Sequence, residues 1–233
     1  MKNLVLIILL GICISACQEN GAVISGKAEN YEGRIVILEE QTAWSYSRLD
    51  TFVVDNNNNF KIPIKKPGNY RLNFNYAKRI PVMVSSSDFE LIVDAGSRRG
   101  KYEIIGSPDH DLVNEVDEIN SEFNALPTVK KISQEYADAV HEKDMDKLDL
   151  AKAKYKQARQ EKDKLIKEMV LEALDAGAYI GVIEVMTKRA LEPLDHVRFY
   201  RKVADELNKA IPDNKAVEQF EIYVRKIEET KNS

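Results

Sequence analysis

Residues 59–75 read NFKIPIKKPGNYRLNFN, and this stretch decides the class of fold that we expect. The segments on either side of Pro67-Gly68 each have the short, β-rich pattern of a strand, and the Pro-Gly pair is a turn signal. Tyr70, Leu72 and Phe74 share one face of the second strand, because successive side chains of a strand point to opposite faces. The stretch therefore predicts two β-strands joined by a turn.

Six further segments have the same strand pattern, and each is bounded by turn signals. They are 22–28, 33–39, 45–55, 79–84, 88–94 and 101–105. The asparagines 56–58 predict a hairpin turn before the strand at 59–65, because Asn tolerates positive φ. Eight short strands without intervening helices predict an antiparallel β-sandwich or open barrel over residues 22–106, and they exclude a doubly wound parallel sheet.

After Gly106 the hydrophobic period changes from about two to about 3.6, which predicts an all-helical segment over residues 107–233 and hence an α+β fold. Ser107 or Asp109 is expected to cap the first helix. Residues 129–176 are helix-forming with a break near 144–146, and the pattern favours a helical hairpin over a dimeric coiled coil. Gly177 is expected to end this stretch. Later helices are expected at 179–191, 193–211 and 214–231.

The N-terminus has the pattern of an export signal. Lys2 precedes the apolar run 4–14, which at about a dozen residues is shorter than the ~20 that a membrane-spanning helix needs. The ending Ile14-Ser15-Ala16-Cys17 resembles a bacterial lipobox, in which the cysteine is acylated and the peptide is cut just before it. We expect residues 1–16 to be a lipoprotein signal peptide, Cys17 to be a lipid anchor and residues 17–21 to be a tether. The alternative is an ordinary cleaved signal.

Composition narrows the range of functions. Residues 1–110 contain 13 basic and 12 acidic residues and residues 111–233 contain 21 and 26, so neither part is the basic surface that nucleic-acid binding requires. The two cysteines are Cys13 and Cys17, and only the second would remain after cleavage. Without a CxxC pair, thiol–disulfide exchange by this chain alone is excluded.

Candidate reactive groups each have a simpler structural explanation. The triplet 109–111 is consecutive at a helix start, so capping is expected rather than metal binding, and the acidic group at 141–146 lies among lysines on a solvated face. His196 beside Asp195 is expected to have a dipole or ion-pair role. The serines 85–87 are expected to form a turn, and residues 55–59 lack the distal Glu of a calcium loop. We expect no catalytic residue, metal or cofactor.

Two aromatic residues form the candidate recognition patch. Trp44 and Tyr46 lie near the start of a strand after a polar loop, where exposed aromatic side chains can bind a partner. The alternative is that they cover the edge of the sandwich.

Five short motifs resemble a known arrangement. They are Ile24-Ser25-Gly26, the stretch from Leu49-Asp50-Thr51 to Asn59-Phe60, the strand Tyr70–Phe74, the passage from Val93-Asp94-Ala95-Gly96 to Ile105-Gly106-Ser107, and the region Tyr200–Phe220 with Ile211-Pro212-Asp213-Asn214. They resemble the N-terminal domain of unknown function, with its helical linker, of lipoprotein thiol–disulfide oxidoreductases of Bacteroidota. In that family the redox cysteines lie in a thioredoxin-like domain, which would begin near Ser233, so no catalytic residue is carried over. Asn59 stands where the family turn often has Gly, a change that the left-handed tolerance of Asn permits.

The expected function is therefore a non-catalytic binding module. We expect a lipoprotein of the bacterial cell envelope, facing the periplasm and anchored to the outer membrane, with a thioredoxin-like envelope protein as its partner. The alternative is a hydrolytic enzyme whose site is assembled from dispersed Asp, Glu and Ser residues, since a fold alone does not determine function.

Replacing Cys17 tests the expected lipid anchoring. In the Cys17→Ala variant the mature protein should be released into the soluble envelope fraction, because stable attachment depends on the acyl chains. Fractionation with a carbonate wash measures this. Retention of the variant in the membrane pellet would show that Cys17 is not the anchor.

Overall fold

The structure is a computed structural model, and it describes residues 21–232 apart from 43–44, 76–77, 98–99 and 189. In this part of the chain eight β-strands are followed by seven α-helices, so the predicted α+β class is confirmed. The strands are β1 (Ala22–Glu29), β2 (Ile35–Gln41), β3 (Tyr46–Val53), β4 (Asn59–Ile64), β5 (Gly68–Asn75), β6 (Lys78–Val84), β7 (Phe89–Asp94) and β8 (Tyr102–Ile105). The helices are α1 (Pro108–Ala125), α2 (Pro127–Glu142), α3 (Met145–Ala158), α4 (Gln160–Asp175), α5 (Tyr179–Thr187), α6 (Val197–Ala210) and α7 (Lys215–Asn232), with a 3-10 turn at Pro193–Asp195.

The strands form two four-stranded sheets, in the orders β4-β1-β7-β8 and β3-β2-β5-β6. Every neighbouring pair is antiparallel except β1 and β7, which run parallel. The two inner faces share one hydrophobic core, and the sheets do not close into a barrel. Tyr70, Leu72 and Phe74 are all buried in it, as their alternation predicted. The architecture is a sandwich with one parallel pair.

The asparagine turn joins the two sheets, so the prediction of a hairpin was wrong. β3 pairs with β2 in one sheet, whereas β4 pairs with β1 in the other. The Asp55 carboxylate accepts hydrogen bonds from the amides of Asn57 and Asn59, each at 2.8 Å, and this closes the turn locally. Asn58, with φ of 66°, takes the left-handed conformation that had been assigned to Asn59. The local turn chemistry was predictable, but the strand partners were not.

The helical boundaries differ from the prediction at three places. Residues 129–176 are interrupted near Asp144, as expected, and also at Arg159, which the sequence did not indicate. The helix expected from Pro193 begins at Val197 after the 3-10 turn, and α5 ends at Thr187. Gly177 does end α4: its φ is 80°, and the amides of Gly177 and Ala178 bond to the carbonyls of Leu174 and Ala173, as in a Schellman motif.

The helices divide into a packed body and a projecting hairpin. The buried residues of the helical core come from α1, α4, α5, α6, α7 and the segment after α5. α2 and α3 pack mainly against each other and bury little more than Val129, Ala139 and Ala151. We call α2 and α3 the hairpin. No described helix combines the length and apolar content needed to cross a membrane.

A buried polar cluster joins the sandwich to the helices. Asp109, in the first turn of α1, accepts hydrogen bonds from the Ser85 amide (2.9 Å), the Ser85 hydroxyl (2.7 Å) and the Gly181 amide (2.7 Å). The Ser85 hydroxyl also accepts the Ile180 amide at 2.9 Å. Ser85 follows β6, while Ile180 and Gly181 lie in the first turn of α5. Ser85 and Asp109 therefore cap α5 from outside the helix, since Ala178 at its N-terminus has no capping side chain.

The cluster leaves no room for a larger residue at Gly181. A Cβ atom there would lie 2.6 Å from the Asp109 carbonyl oxygen, which is backbone and cannot move away cheaply. Asp109 is 3% exposed, and this burial raises the pKa of its carboxyl group, while the hydrogen bonds from Gly181 and Ser85 act to lower it. The close approach of α1 and α5 thus depends on glycine at one position and a hydrogen-bonded carboxylate at the other.

Removing the Ser85 hydroxyl tests the cluster. Ser85→Ala should lower the free energy of unfolding by about 1–3 kcal/mol, because the Ile180 amide loses its acceptor and Asp109 loses a donor in a buried site. Urea unfolding measures the change. Ser86→Ala, at the exposed neighbouring serine, is the control and should change stability by less than about 0.5 kcal/mol. Equal effects of the two substitutions would contradict the assignment.

Candidate functional site

The main cleft lies at the base of the hairpin. It has a volume of about 580 Å³ and lies between α2, α3 and the segment that precedes α6. Its lining residues are Ile132, Ser133, Tyr136, Ala151, Lys152, Tyr155, Lys156, Arg159, Glu192 and Asp195. A concave, largely apolar site with a few polar groups at its edge is the usual form of a binding site.

The floor of the cleft is apolar and aromatic. Tyr155 packs edge-on against Phe123 of α1, with ring centroids 5.9 Å apart, and this contact connects the floor to the helical body. Tyr136 is 44% exposed, so a large part of its side chain remains open to a ligand. Ile132 and Ala151 complete the apolar surface. Covering this surface would remove apolar area from water, which favours binding.

One wall of the cleft is held by ion pairs. Asp195 accepts a hydrogen bond from the Lys156 ammonium at 2.7 Å and a second one from the Arg159 guanidinium. The Lys156 hydrogen bond, followed by the charges of Lys156 and Arg159, lowers the pKa of Asp195, so this carboxylate remains ionised at neutral pH. Asp195 thus ties the hairpin to the segment before α6.

A pair formed by the buried carboxylate of Asp163 and the partly buried imidazole of His196 lies beside this wall. Asp163 Oδ2 lies 2.9 Å from His196 Nε2 and 3.3 Å from Arg159 Nε. The other carboxylate oxygen, Oδ1, is buried and has no hydrogen-bond partner in the described part of the chain. Both residues line a second cavity of about 430 Å³, which shares Lys156, Arg159 and Asp195 with the main cleft. The two cavities lie on either side of the Arg159–Asp195 ion pair, and we call them together the groove. The side-chain partner of His196 is the Asp163 carboxylate, at 2.9 Å.

The structure describes only part of the predicted recognition patch. Tyr46 is half-buried, and the Arg71 guanidinium lies 3.7 Å from its ring centroid. Arg71 in turn bonds Glu39 at 2.5 Å, so one face of the Tyr46 ring is already occupied on the surface of the sheet. Trp44 and Cys17 lie outside the described residues. The role of this patch in recognition stays a prediction.

The candidate metal ligands have structural contacts. Ser107 caps α1, as expected, and also lies 3.0 Å from Nδ1 of His110. Asp144 caps α3 by accepting the Lys147 amide at 3.0 Å, and Glu142 pairs with Lys147 at 2.6 Å. Across the described residues, no group of three or more His, Cys, Asp or Glu side chains is arranged to hold a metal ion.

The triple serine contains a serine–carboxylate contact, between Ser85 and Asp109, that resembles catalytic chemistry. Ser85 is 2% exposed, and its hydroxyl is engaged by both Asp109 and Ile180. His110 contacts Ser107 and the Met83 amide rather than Ser85. A serine nucleophile needs a base within reach and access to substrate, whereas Ser85 is enclosed and fixed in a structural role.

Sequence reasoning missed the groove. Tyr136, Tyr155, Arg159 and Asp163 have no place in any motif of the sequence. The Arg159–Asp195 contact joins residues 36 positions apart, and no local pattern marks such a pair. The one available signal was the density of basic residues along 152–167, which contains seven basic and two acidic residues.

Comparison with known proteins identifies the first part of the chain only. No curated protein matches it. Residues 22–113 match the family model described as a domain of unknown function, DUF4369. The matched range covers both sheets and the first turns of α1, so it includes Ser85 and Asp109 but ends before the hairpin and the groove. The β-sandwich with the start of α1 is thus similar to a domain whose function is not known.

Proposed function

We propose that this chain is a lipid-anchored, non-catalytic binding module of the bacterial cell envelope and that its partner binds in the groove at the base of the hairpin. The observation that carries the proposal is the main cleft of about 580 Å³, with its exposed Tyr136 and its charged wall. The hairpin has few buried contacts of its own, which is typical of an element that gains contacts on binding.

The proposed location rests on the N-terminal sequence. The apolar run followed by Ser15, Ala16 and Cys17 supports export and acylation, and we propose that the protein faces the periplasm from the outer membrane. The tether at residues 17–21 would leave the folded part close to the bilayer.

The proposed partner is a thioredoxin-like envelope protein. The support is the resemblance of the chain to the segment that precedes a thioredoxin-like domain in lipoprotein thiol–disulfide oxidoreductases. The sequence has no CxxC pair, so redox chemistry would come from the partner.

The alternative, a hydrolytic site assembled from dispersed residues, has weaker support. The buried Ser85–Asp109 contact has no access to substrate, and Asp163 shares its charge between Arg159 and His196 within an ion-pair cluster. These carboxylates hold elements together, which is a sufficient reason for their burial.

Site-specific crosslinking tests the proposed function. A photoreactive amino acid at position 136 of the full-length lipoprotein, illuminated in intact cells, should give one dominant protein adduct, because this position faces the open cleft. Tyr102 on β8 is the matched control, since it is 48% exposed and lies outside the groove. Ser133→Trp, at an exposed position of the lining, occupies part of the cleft and should lower the yield of the adduct at position 136. No adduct at 136, or equal adducts at 136 and 102, would contradict the proposed function.

A further inference from the structure

The groove has a charge opposite to that of the chain as a whole. The protein has a formal net charge of −4 at pH 7. Residues 152–167, which run through the end of α3 and the first half of α4, contain seven basic and two acidic residues. Five of these basic residues line the groove: Lys152, Lys156, Arg159, Lys164 and Lys167. The same lining contains four acidic residues, Asp163, Glu168, Glu192 and Asp195, so five basic against four acidic residues leave the groove with a formal charge of +1.

The acidic residues of the groove only partly offset these cations. Asp195 and Asp163 together pair with Lys156 and Arg159, so the other cations of the lining are Lys152, Lys164 and Lys167, against the carboxylates of Glu168 and Glu192. Lys164 lies 4.0 Å from Glu168, at the limit of an ion pair, and its side chain is 70% exposed. Lys152 pairs with Asp149, which is itself exposed and easily replaced by another anion. Lysines at the rim can therefore meet a partner's carboxylates while staying partly solvated.

The apolar floor of the cleft also restricts the chemistry of the ligand. Ile132, Tyr136 and Tyr155 lie between the hairpin helices and the ion-paired wall, and Tyr136 is open to solvent. A purely ionic ligand would leave this surface uncovered. A ligand that places an apolar side chain on the floor and acidic side chains at the rim would satisfy both surfaces.

We propose that the segment that fills the groove is an acidic stretch of a partner protein that carries at least one aliphatic or aromatic side chain. This inference rests on the proposed function and specifies the chemistry of its partner. The rim lysines attract and orient the acidic stretch, and the apolar side chain inserts among Ile132, Tyr136 and Tyr155. The acidic remainder of the chain repels the same segment from other surfaces, which gives the contact its specificity.

An anionic lipid surface is the other occupant that basic and apolar groups could fit. The shape of the site favours a polypeptide, because the apolar residues line a concave cleft between helices, whereas a bilayer would contact a convex face first. Lipid binding is therefore one of the outcomes that the test must separate.

The test uses labelled synthetic peptides of about twelve residues and the full-length protein in mild detergent. One peptide is rich in Asp and Glu with a central Leu and Tyr, a second keeps the acidic residues without the apolar pair, and a third keeps the apolar pair with Lys in place of the acids. Fluorescence anisotropy should show binding of the first peptide, at least about tenfold tighter than of either other peptide, and weakening as salt is raised from about 50 to about 300 mM. Equal binding of all three would overturn the proposal.

Matched variants locate the binding. Lys152→Glu with Lys164→Glu should weaken binding of the first peptide about tenfold or more, because two rim cations become repulsive. Arg225→Glu with Lys226→Glu makes the same change in net charge at exposed positions of α7 outside the groove and should have little effect. Tyr136→Ser should weaken binding, while Tyr102→Ser should not. If both charge-reversal variants lose the same amount of peptide affinity, the loss is explained by the change in net charge alone. This result would overturn the proposal.

The crosslinking and binding results together distinguish a failure of this inference from a failure of the proposed function. If the adduct at position 136 forms in cells and its yield is unchanged by Lys152→Glu with Lys164→Glu, the groove binds a partner but the partner segment is not acidic. A different result would be that the protein binds vesicles with about 30% anionic lipid, loses this binding in the same variant and does not bind the acidic apolar peptide. This result would overturn the proposal, because the groove would then bind a membrane surface and not a protein segment. Loss of the adduct in the Lys152→Glu and Lys164→Glu variant, together with binding of the acidic apolar peptide, supports the proposal.

Discussion

The hydrogen bonds accepted by the buried Asp109 carboxylate connect the β-sandwich to the helical body. The carboxylate is buried between the end of β6 and the first turn of α5, and it accepts hydrogen bonds from both sides of the junction between sandwich and helices. Burying a carboxylate is costly unless its oxygens are hydrogen-bonded, so the site holds together only when Ser85 and Gly181 are in place. A single side chain thereby fixes the position of α1 and α5 relative to the second sheet.

The position of the groove follows from this junction. α1 runs from Asp109 to its C-terminal turn, where Phe123 supports Tyr155 on the floor of the cleft. The wall depends on ion pairs from Asp195 to Lys156 and Arg159, which are partly exposed and therefore weaker than the buried cluster. The molecule thus combines a rigid body with a hairpin that is attached more loosely, and the main cleft lies where the two meet. Such a boundary can adjust to a ligand without disturbing either core.

The sequence predicted the elements better than their partners. Alternation and turn residues located all eight strands, and in strands such as β5 the alternation reflects one buried face, which carries Tyr70, Leu72 and Phe74. The parallel pairing of β1 with β7 and the crossing of the asparagine turn between sheets depend on contacts far apart in sequence. The same limit applies to the site. Tyr136, Asp163 and Asp195 come together through tertiary packing, and the density of basic residues at 152–167 is a local signal from which no site was predicted.

Native-state hydrogen exchange of individual amides tests whether the buried cluster joins two cores into one body from which the hairpin projects. The Gly181 amide, which donates to Asp109, should exchange as slowly as the amides at the centre of β5, while amides along α2 and α3 should exchange much faster. If the Gly181 amide exchanges early, together with the hairpin, the two cores open independently and the junction is not the constraint that organises the molecule.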